Sequence, residues 1–238
     1  MAGRVKFLLR SALDILYPPH CECCEKPGSL FCKQCIKRIR WVRAPYCQIC
    51  SLSVCGHISR AFVCANCRVR KFSFQFAVCG CEAEEVVRRL IHRFKYLGNT
   101  RLESILSRLL FHAWRDNRIA ASPPDVLVPV PLHPLRQRER GFNQAAILAE
   151  ALSQHTGIPC KSYLKRSLFT QSQTLLSRHE RRQNLRGAFA LRSHRPIVSA
   201  NVMLVDDVLT TGTTLEECSK TLLAGGARTV KAITVVRA

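Results

Sequence analysis

Patterns of buried strands and amphipathic helices alternate along residues 74–238. Apolar runs typical of strands buried on both faces occur at residues 74–81, 125–130, 202–205 and 229–237. Between them, apolar residues at helical spacing predict helices over 84–96, 101–117, 145–154 and 215–223. Alternation of this kind indicates an α/β domain in which helices flank a parallel sheet.

The strand at residues 202–205 ends in two carboxylates, Asp206 and Asp207, and small hydroxyl residues follow. These hydroxyls, the backbone N–H groups and the positive end of the next helix can surround a phosphate, and glycine permits close approach. At least one acid must project outward, where it suits ribose hydroxyls or Mg²⁺. An ordinary βα unit with a solvated acidic turn is the alternative interpretation. The loop residues are Thr210, Thr211, Gly212, Thr213 and Thr214.

Residues 202–214 resemble the phosphoribosyl-pyrophosphate (PRPP) motif of type I phosphoribosyltransferases. In that family the acids contact the ribose hydroxyls and the loop holds the 5-phosphate. The resemblance therefore implies PRPP, bound together with Mg²⁺, as a ligand of this segment.

A second polar segment follows the strand at residues 125–130. Pro129, Pro131 and Pro134 should stiffen the chain here as a loop, and three closely spaced arginines concentrate positive charge suited to a diphosphate. Ligands bind beyond the carboxyl ends of parallel strands, so this loop should face Asp206 and Asp207. A solvated basic loop is the alternative. The candidate pyrophosphate loop comprises Pro131, Leu132, His133, Arg136, Arg138 and Arg140.

Residues 166–189 form a long, polar and basic segment. In a compact domain, a segment of this length favours a functional lid over a simple connector. Its candidate flexible-loop residues are Thr170, Gln173, Arg181 and Asn184.

Cysteine spacing predicts two metal sites before residue 70. Two C-x-x-C pairs complete one tetrahedral Zn²⁺ shell, so four pairs make two structural sites, joined in sequential or interleaved order. A disulfide framework would need an oxidising compartment, and an Fe–S cluster is a further alternative. Because the pattern then stops, we predict an N-terminal helix and double zinc ribbon over 1–70 and the α/β domain over 71–238. The candidate ligands are Cys21, Cys24, Cys32, Cys35, Cys47, Cys50, Cys64 and Cys67.

The chain is strongly basic. Its 238 residues include 37 Lys and Arg against 16 Asp and Glu, a net charge of +21. Such a charge favours polyanionic partners, nucleic acid first and phosphorylated metabolites second. No stretch approaches the ~20 apolar residues of a membrane span, and the apolar run after Lys6 is too short for a secretory signal. We therefore expect a cytoplasmic protein, with residues 5–16 forming a short amphipathic helix.

Taken together, these motifs resemble the ComF/GntX family. The segments that carry the resemblance are PVPLHPLRQRERGFNQA at 129–145, TQSQTLLSRHERRQNLRGAF at 170–189 and VMLVDDVLTTGTT at 202–214. One departure is Ser51, where the family often has a glycine after the third cysteine pair.

The resemblance implies a double zinc ribbon joined to a type I phosphoribosyltransferase-like domain. It further implies a competence protein of natural transformation that binds single-stranded DNA and PRPP, with a DNA-uptake helicase or recombination mediator as a partner. An active phosphoribosyltransferase with an unidentified acceptor is one alternative. A zinc-stabilised assembly scaffold with a relict pocket is another. No catalytic residue is assigned.

Overall fold

The computed structural model describes residues 18–238 apart from 57, 59–60, 97, 99, 168–184, 186 and 193–196. Four parallel strands form the main sheet in the order β1–β6–β5–β2, and β3 pairs with β4 in a separate antiparallel ribbon. The predicted class, a parallel sheet flanked by helices, is confirmed. The strands are β1 Ala77–Glu82, β2 Val126–Pro129, β3 Leu164–Arg166, β4 Phe189–Leu191, β5 Asn201–Leu209 and β6 Thr229–Arg237.

In the part of the chain that the structure describes, four helices of twelve or thirteen residues flank the sheet, close to where the apolar spacing predicts them. The helix predicted over 101–117 is the exception: a 3₁₀ turn at Thr100–Leu102 precedes it, and Asp116 starts a new short helix by accepting from the Arg118 N–H. The helices are α1 Lys33–Lys37, α2 Ala65–Val69, α3 Glu85–Tyr96, α4 Glu103–Trp114, α5 Asn117–Ala121, α6 Pro134–Arg140, α7 Gln144–Thr156 and α8 Thr213–Ala224.

The segment after β2 is helical rather than a loop. Pro134 occupies the first turn of α6, where its fixed φ suits a helix and no N–H is needed. The His133 side chain caps this turn by accepting from the Leu135 N–H, and Gly141 ends the helix at φ 78°. The prediction of a proline-stiffened loop is therefore wrong for residues 134–140.

Both faces of the sheet are buried, as expected for parallel strands. Leu90 of α3, Leu106 of α4 and Leu148 of α7 belong to the core on one face, and Leu215 and Leu222 of α8 to the core on the other. The cysteine-rich region divides between the same two cores. Its first four-cysteine group contributes to the α3–α4 side, and its second group to the α8 side.

The cysteine-rich region covers the edge of β1 that is not paired with β6. Val42 donates its N–H to the Gly80 carbonyl at 3.2 Å, Glu82 donates to the Arg40 carbonyl at 2.8 Å, and Ala77 donates to the Ile49 carbonyl at 2.7 Å. These bonds cover an edge strand that would otherwise present unpaired backbone groups. These hydrogen bonds join residues before position 70 to residues after it. The division into domains at 70/71 therefore remains a prediction about which parts of the chain fold as units.

Ser51 keeps its turn despite the departure from glycine. Its φ is 54°, in the left-handed region that glycine adopts most readily. The side chain is fully buried and donates from Oγ to the Ala77 carbonyl at 2.7 Å, which anchors the turn to β1.

Among the described residues, no helix has the length and apolar character needed to cross a membrane. The predicted amphipathic helix at 5–16 lies outside those residues.

Candidate functional site

The two predicted ligand segments meet at the carboxyl edge of the sheet. β2 and β5 are adjacent, and β2 ends at Pro129, which pairs with Val205. Asp206 and Asp207 therefore lie just past the end of the neighbouring strand, although β5 itself continues to Leu209. They face a cavity of about 290 Å³ whose lining combines both segments. The predicted residues that line it are Asp206, Asp207, Thr210, Thr214, Pro131, Leu132, Arg136 and Arg140.

The threonine-rich loop encloses a second, smaller hollow beside this cavity. The hollow measures about 20 Å³ and is lined by residues 208–215 together with Asp206 and Leu185. Gly212 is the N-cap of α8 at φ 77°, and the hydroxyls of Thr211 and Thr213 are 3.0 Å apart. Hydroxyls, loop N–H groups and a helix N-terminus thus surround one point, an arrangement suited to a phosphate.

The helical form of α6 separates the three candidate arginines. Arg136 and Arg140 are four residues apart, so they share one helix face, and both line the cavity. Arg140 donates to Gln144 Oε1 at 3.0 Å and lies 5.0 Å from the ring centre of Tyr96. Arg138 points to solvent, and His133 serves as the helix cap; neither lines the cavity.

The two acids have different surroundings. The side chain of Asp207 is only 3% exposed, and its Oδ2 lies 2.5 Å from Lys95 Nζ at the end of α3. Asp206 Oδ1 instead accepts from the Asp207 N–H at 2.9 Å. Its burial and the neighbouring Asp207 carboxylate raise the pKa of Asp206 well above its usual range, and Lys95 opposes this rise.

Four residues with polar side chains line the cavity although the sequence pattern did not mark them: Lys95, Tyr96, Gln144 and Arg166. Arg166 is 8% exposed, and burial, followed by the nearby Arg136, lowers the pKa of its guanidinium. It ends β3, a strand of three residues that is too short to show a pattern. Lys95 and Tyr96 end an amphipathic helix, where polar residues carry no signal of function. The candidate flexible-loop residues Thr170, Gln173, Arg181 and Asn184 lie outside the described residues.

The eight candidate metal ligands form two separate clusters in sequential order. Within each cluster all four Sγ atoms lie within 4.8 Å of one another. Three measured Sγ–Sγ separations are 3.7 Å for Cys21 and Cys35, 3.6 Å for Cys24 and Cys32, and 3.8 Å for Cys50 and Cys64. Sulfurs bound tetrahedrally at about 2.3 Å from Zn²⁺ would be about 3.8 Å apart, so both clusters fit the metal.

In the second cluster Cys47 and Cys50 differ in acidity, because the hydrogen bond between them and then burial raise the pKa of Cys50. A hydrogen bond from the Cys50 thiol, with further help from the Cys64 N–H, lowers the pKa of Cys47 to about 4. A thiolate is thus favoured at neutral pH, and thiolate is the form that binds metal. All four cysteines of this cluster are buried, whereas Cys24 and Cys32 of the first are only partly buried. The buried Cys79 and Cys81 and the exposed Cys55 join neither cluster.

Comparisons with known proteins agree with this architecture. A family described as a double zinc ribbon domain matches residues 12–68. The chain is 36% identical over 211 residues to competence protein F of Haemophilus influenzae, covering 87% of this chain and 90% of that protein. It is 32% identical over 221 residues to DNA utilization protein YhgH of Salmonella typhi, covering 90% of this chain and 95% of the relative.

Among solved structures, the chain is similar to glutamine PRPP amidotransferase from B. subtilis. The identity is 20%, the TM-score is 0.39, and the match covers 59% of this chain and 30% of the other.

Proposed function

Because the chain belongs to the family of competence protein F and DNA utilization protein YhgH, we propose that it acts in the uptake and use of DNA in the cytoplasm. In this role it binds single-stranded DNA and holds PRPP in the cavity at the carboxyl edge of its sheet. Zn²⁺ in the two cysteine clusters holds the N-terminal region in place.

One observation carries the PRPP part of the proposal: two acids and two arginines line one cavity, and the threonine-rich loop encloses a smaller hollow beside it. In this arrangement Asp206 and Asp207 accept from the ribose hydroxyls, and the loop at 210–214 donates to the 5-phosphate. Arg136 and Arg140 neutralise the diphosphate, since guanidinium groups bind phosphate oxygens in pairs. Mg²⁺ bound with PRPP would offset further charge on the diphosphate.

Phosphoribosyl transfer is a second candidate function, and the position of Arg166 favours it. In such a reaction pyrophosphate leaves, so positive groups around the leaving diphosphate stabilise the charge that develops in the transition state. Arg166 adds a buried guanidinium to the two on α6 at the same cavity.

A turnover screen separates the candidate functions. Release of pyrophosphate from PRPP would be measured with nucleobases, amines and nucleic acids as acceptors, beside a fluorescence titration of a single-stranded oligonucleotide. Turnover would establish a transferase. Salt-sensitive DNA binding and PRPP binding without turnover support the proposed role, and the absence of both binding activities would leave the assembly scaffold.

Two basic surfaces are candidates for the DNA path. One is the cavity rim on α6. The other is a groove of about 250 Å³ beside the cysteine-rich region, whose lining includes Arg43, Tyr46, His112 and Arg115. Trp41 lies against His112 with ring centres 4.3 Å apart. Cations next to aromatic rings suit single strands, because bases stack while phosphates pair with the cations.

We predict that single-stranded DNA binding weakens steeply with added salt and that the α6 arginines carry part of this dependence. Each phosphate contact contributes a slope of roughly −0.7 to the log–log plot of affinity against salt, because neutralised phosphates release counterions. Replacing Arg136, Arg138 and Arg140 with Gln should therefore reduce the slope by up to about 2. Fluorescence anisotropy at several salt concentrations measures it.

The matched control replaces Arg43 and Arg115 with Gln, removing charge from the groove instead of the rim. If only this double variant lowers the slope, the DNA follows the groove and the rim prediction is wrong.

A further inference from the structure

Three consecutive carbonyl groups before Gly212 are held by arginines that lie outside the cavity. Arg237 Nη1 donates to the carbonyls of Leu209 at 3.1 Å and Thr210 at 3.0 Å. Arg70 Nη1 donates to the carbonyl of Thr211 at 2.7 Å. Neither arginine lines the cavity or the smaller hollow. Both therefore contact the loop from its far side.

This arrangement fixes the direction of the loop's donors. In a trans peptide, the carbonyl of one residue and the N–H of the next point in opposite directions. Carbonyls held toward the arginines thus direct the N–H groups of Thr210, Thr211 and Gly212 to the opposite side, where the hollow lies. Donors fixed before a ligand arrives bind it more tightly, because less ordering remains to be done.

Both arginines are also tied to the second cysteine cluster. Arg237 Nη2 lies 3.8 Å from Cys50 Sγ, within hydrogen-bond distance for sulfur. Arg70 follows directly on α2, the helix that carries Cys67. A four-thiolate Zn²⁺ centre carries a charge of −2, which would hold the Arg237 guanidinium in this position.

Aromatic packing completes the connection between Arg70 and the loop. The Arg70 guanidinium lies 4.8 Å from the ring centre of Phe72, which stacks on Phe74 with ring centres 4.6 Å apart. The Phe72 ring covers Gly212 so closely that a Cβ there would be 3.0 Å from its Cε1 atom. In addition, Ser73 donates its N–H and its hydroxyl to Glu216 at 2.6 and 2.9 Å, at the start of α8.

We propose that Arg70 and Arg237 are positioning residues for the phosphate loop and that the second cysteine cluster, when it holds Zn²⁺, keeps them in place. This inference rests on the proposed function, since it concerns the 5-phosphate end of the same ligand. Loss of either arginine disturbs the loop at 210–214 and leaves the α6 side of the cavity intact.

The test compares two probes, one expected to need the threonine-rich loop and one expected to need the α6 side of the cavity. Calorimetry with Mg²⁺ would measure ribose 5-phosphate, which needs the loop, and inorganic pyrophosphate, which needs Arg136 and Arg140. Arg70→Gln and Arg237→Gln should each weaken ribose 5-phosphate about tenfold, the size expected for one charge-assisted hydrogen bond, and change pyrophosphate less than about twofold. Arg70→Lys should recover most of the loss, since one donor to the Thr211 carbonyl suffices.

The control is Arg228→Gln, which removes the same charge at the opposite edge of the sheet. Arg228 is exposed there and donates to Asn201 Oδ1 at 3.1 Å. It should leave both probes unchanged. Melting curves and zinc content confirm that each variant folds, and if Arg237→Gln does not fold, Arg70→Gln carries the test alone.

Two results would overturn the inference. One is unchanged ribose 5-phosphate binding in the folded Arg70 and Arg237 variants. The other is an equal loss of both probes, which would mean that the arginines support the whole domain. A wild type that binds no probe would instead defeat the proposed function. Hydrogen exchange still decides the positioning role in that case, because the amides of residues 210–212 should exchange faster in Arg70→Gln and equal rates would refute it.

Discussion

Cys64→Ser is expected to leave about one Zn²⁺ per chain and to unfold the second cysteine cluster together with the β1 edge of the sheet. Structural Zn²⁺ contributes roughly 10–16 kcal/mol in isolated zinc-finger peptides, comparable to the whole stability of an ordinary domain at about 5–15 kcal/mol. The second cluster has no independent core, because its four cysteines are buried together with Ala77, Cys79 and Val128 of the sheet.

Side-chain hydrogen bonds also connect the second cysteine cluster to the rest of the domain. Arg118 donates to the Gln48 carbonyl at 2.6 Å, between two cysteines of the cluster, and to Ser51 Oγ at 3.0 Å. It is held in turn by Asp116, with two nitrogen–oxygen contacts of 2.8 and 2.9 Å. Disorder around Cys47 and Cys50 would remove the Gln48 carbonyl and Ser51 Oγ from this partly buried ion pair. Because Arg118 belongs to α5, that helix should be destabilised as well.

The matched variant is Cys32→Ser in the first cluster, where the cysteine is only partly buried. It should also lose one Zn²⁺, but its effect on the melting temperature of the sheet should be smaller. Metal analysis, circular dichroism melts and hydrogen exchange of β1 provide the measurements. Full zinc content in Cys64→Ser would show that Cys64 is not needed as a metal ligand. A sheet that melts as in the wild type would show that the second cluster is not part of the sheet's core.

Replacing Asp206 and Asp207 together with Asn is expected to abolish measurable PRPP binding. Hydrogen bonds to a charged group contribute roughly 1.5–3 kcal/mol each, so the loss of two weakens binding on the order of a hundredfold or more. Calorimetry with Mg²⁺ measures the effect. Wild-type affinity in the folded double variant would mean that these acids are not ribose ligands.

The single variants should differ in stability, which gives the experiment an internal control. Asp207→Asn removes the partner of Lys95, whose side chain is only 20% exposed, and should lower the free energy of unfolding by roughly 1.5–3 kcal/mol. Asp206→Asn should leave it unchanged or raise it. The raised pKa of Asp206 shows that its carboxylate form is disfavoured in the folded chain, so ionisation costs stability as pH rises above the unfolded pKa and a neutral amide avoids this cost.

Thermal melts at neutral pH distinguish the two effects. A control variant, Lys95→Met, removes the other member of the same ion pair. It should lower the melting temperature as Asp207→Asn does. Equal melting temperatures for the wild type and both partners' variants would show that the contact between Lys95 and Asp207 contributes nothing to folding.

The sequence by itself determined the four strands of the main sheet, the long helices and the eight candidate cysteine ligands of this protein. Apolar runs at 202–205 and 229–237 can only be satisfied by burial on both faces, so a parallel sheet follows from local pattern. The C-x-x-C pairs likewise fix ligand type and number, because each pair places two sulfurs on one short turn. What local pattern could not decide was whether the pairs combine sequentially, and the positions of the sulfurs show that they do.

Only the tertiary structure decided which side chains meet at the cavity. Arg136 and Arg140 line it and Arg138 does not, because residues 134–140 fold as a helix whose first turn accepts a proline. Lys95 reaches Asp207 because α3 ends beside β5, and Arg70 reaches Thr211 although the two residues are 141 positions apart. Such contacts depend on how separate elements pack, and neither helical spacing nor strand alternation records them.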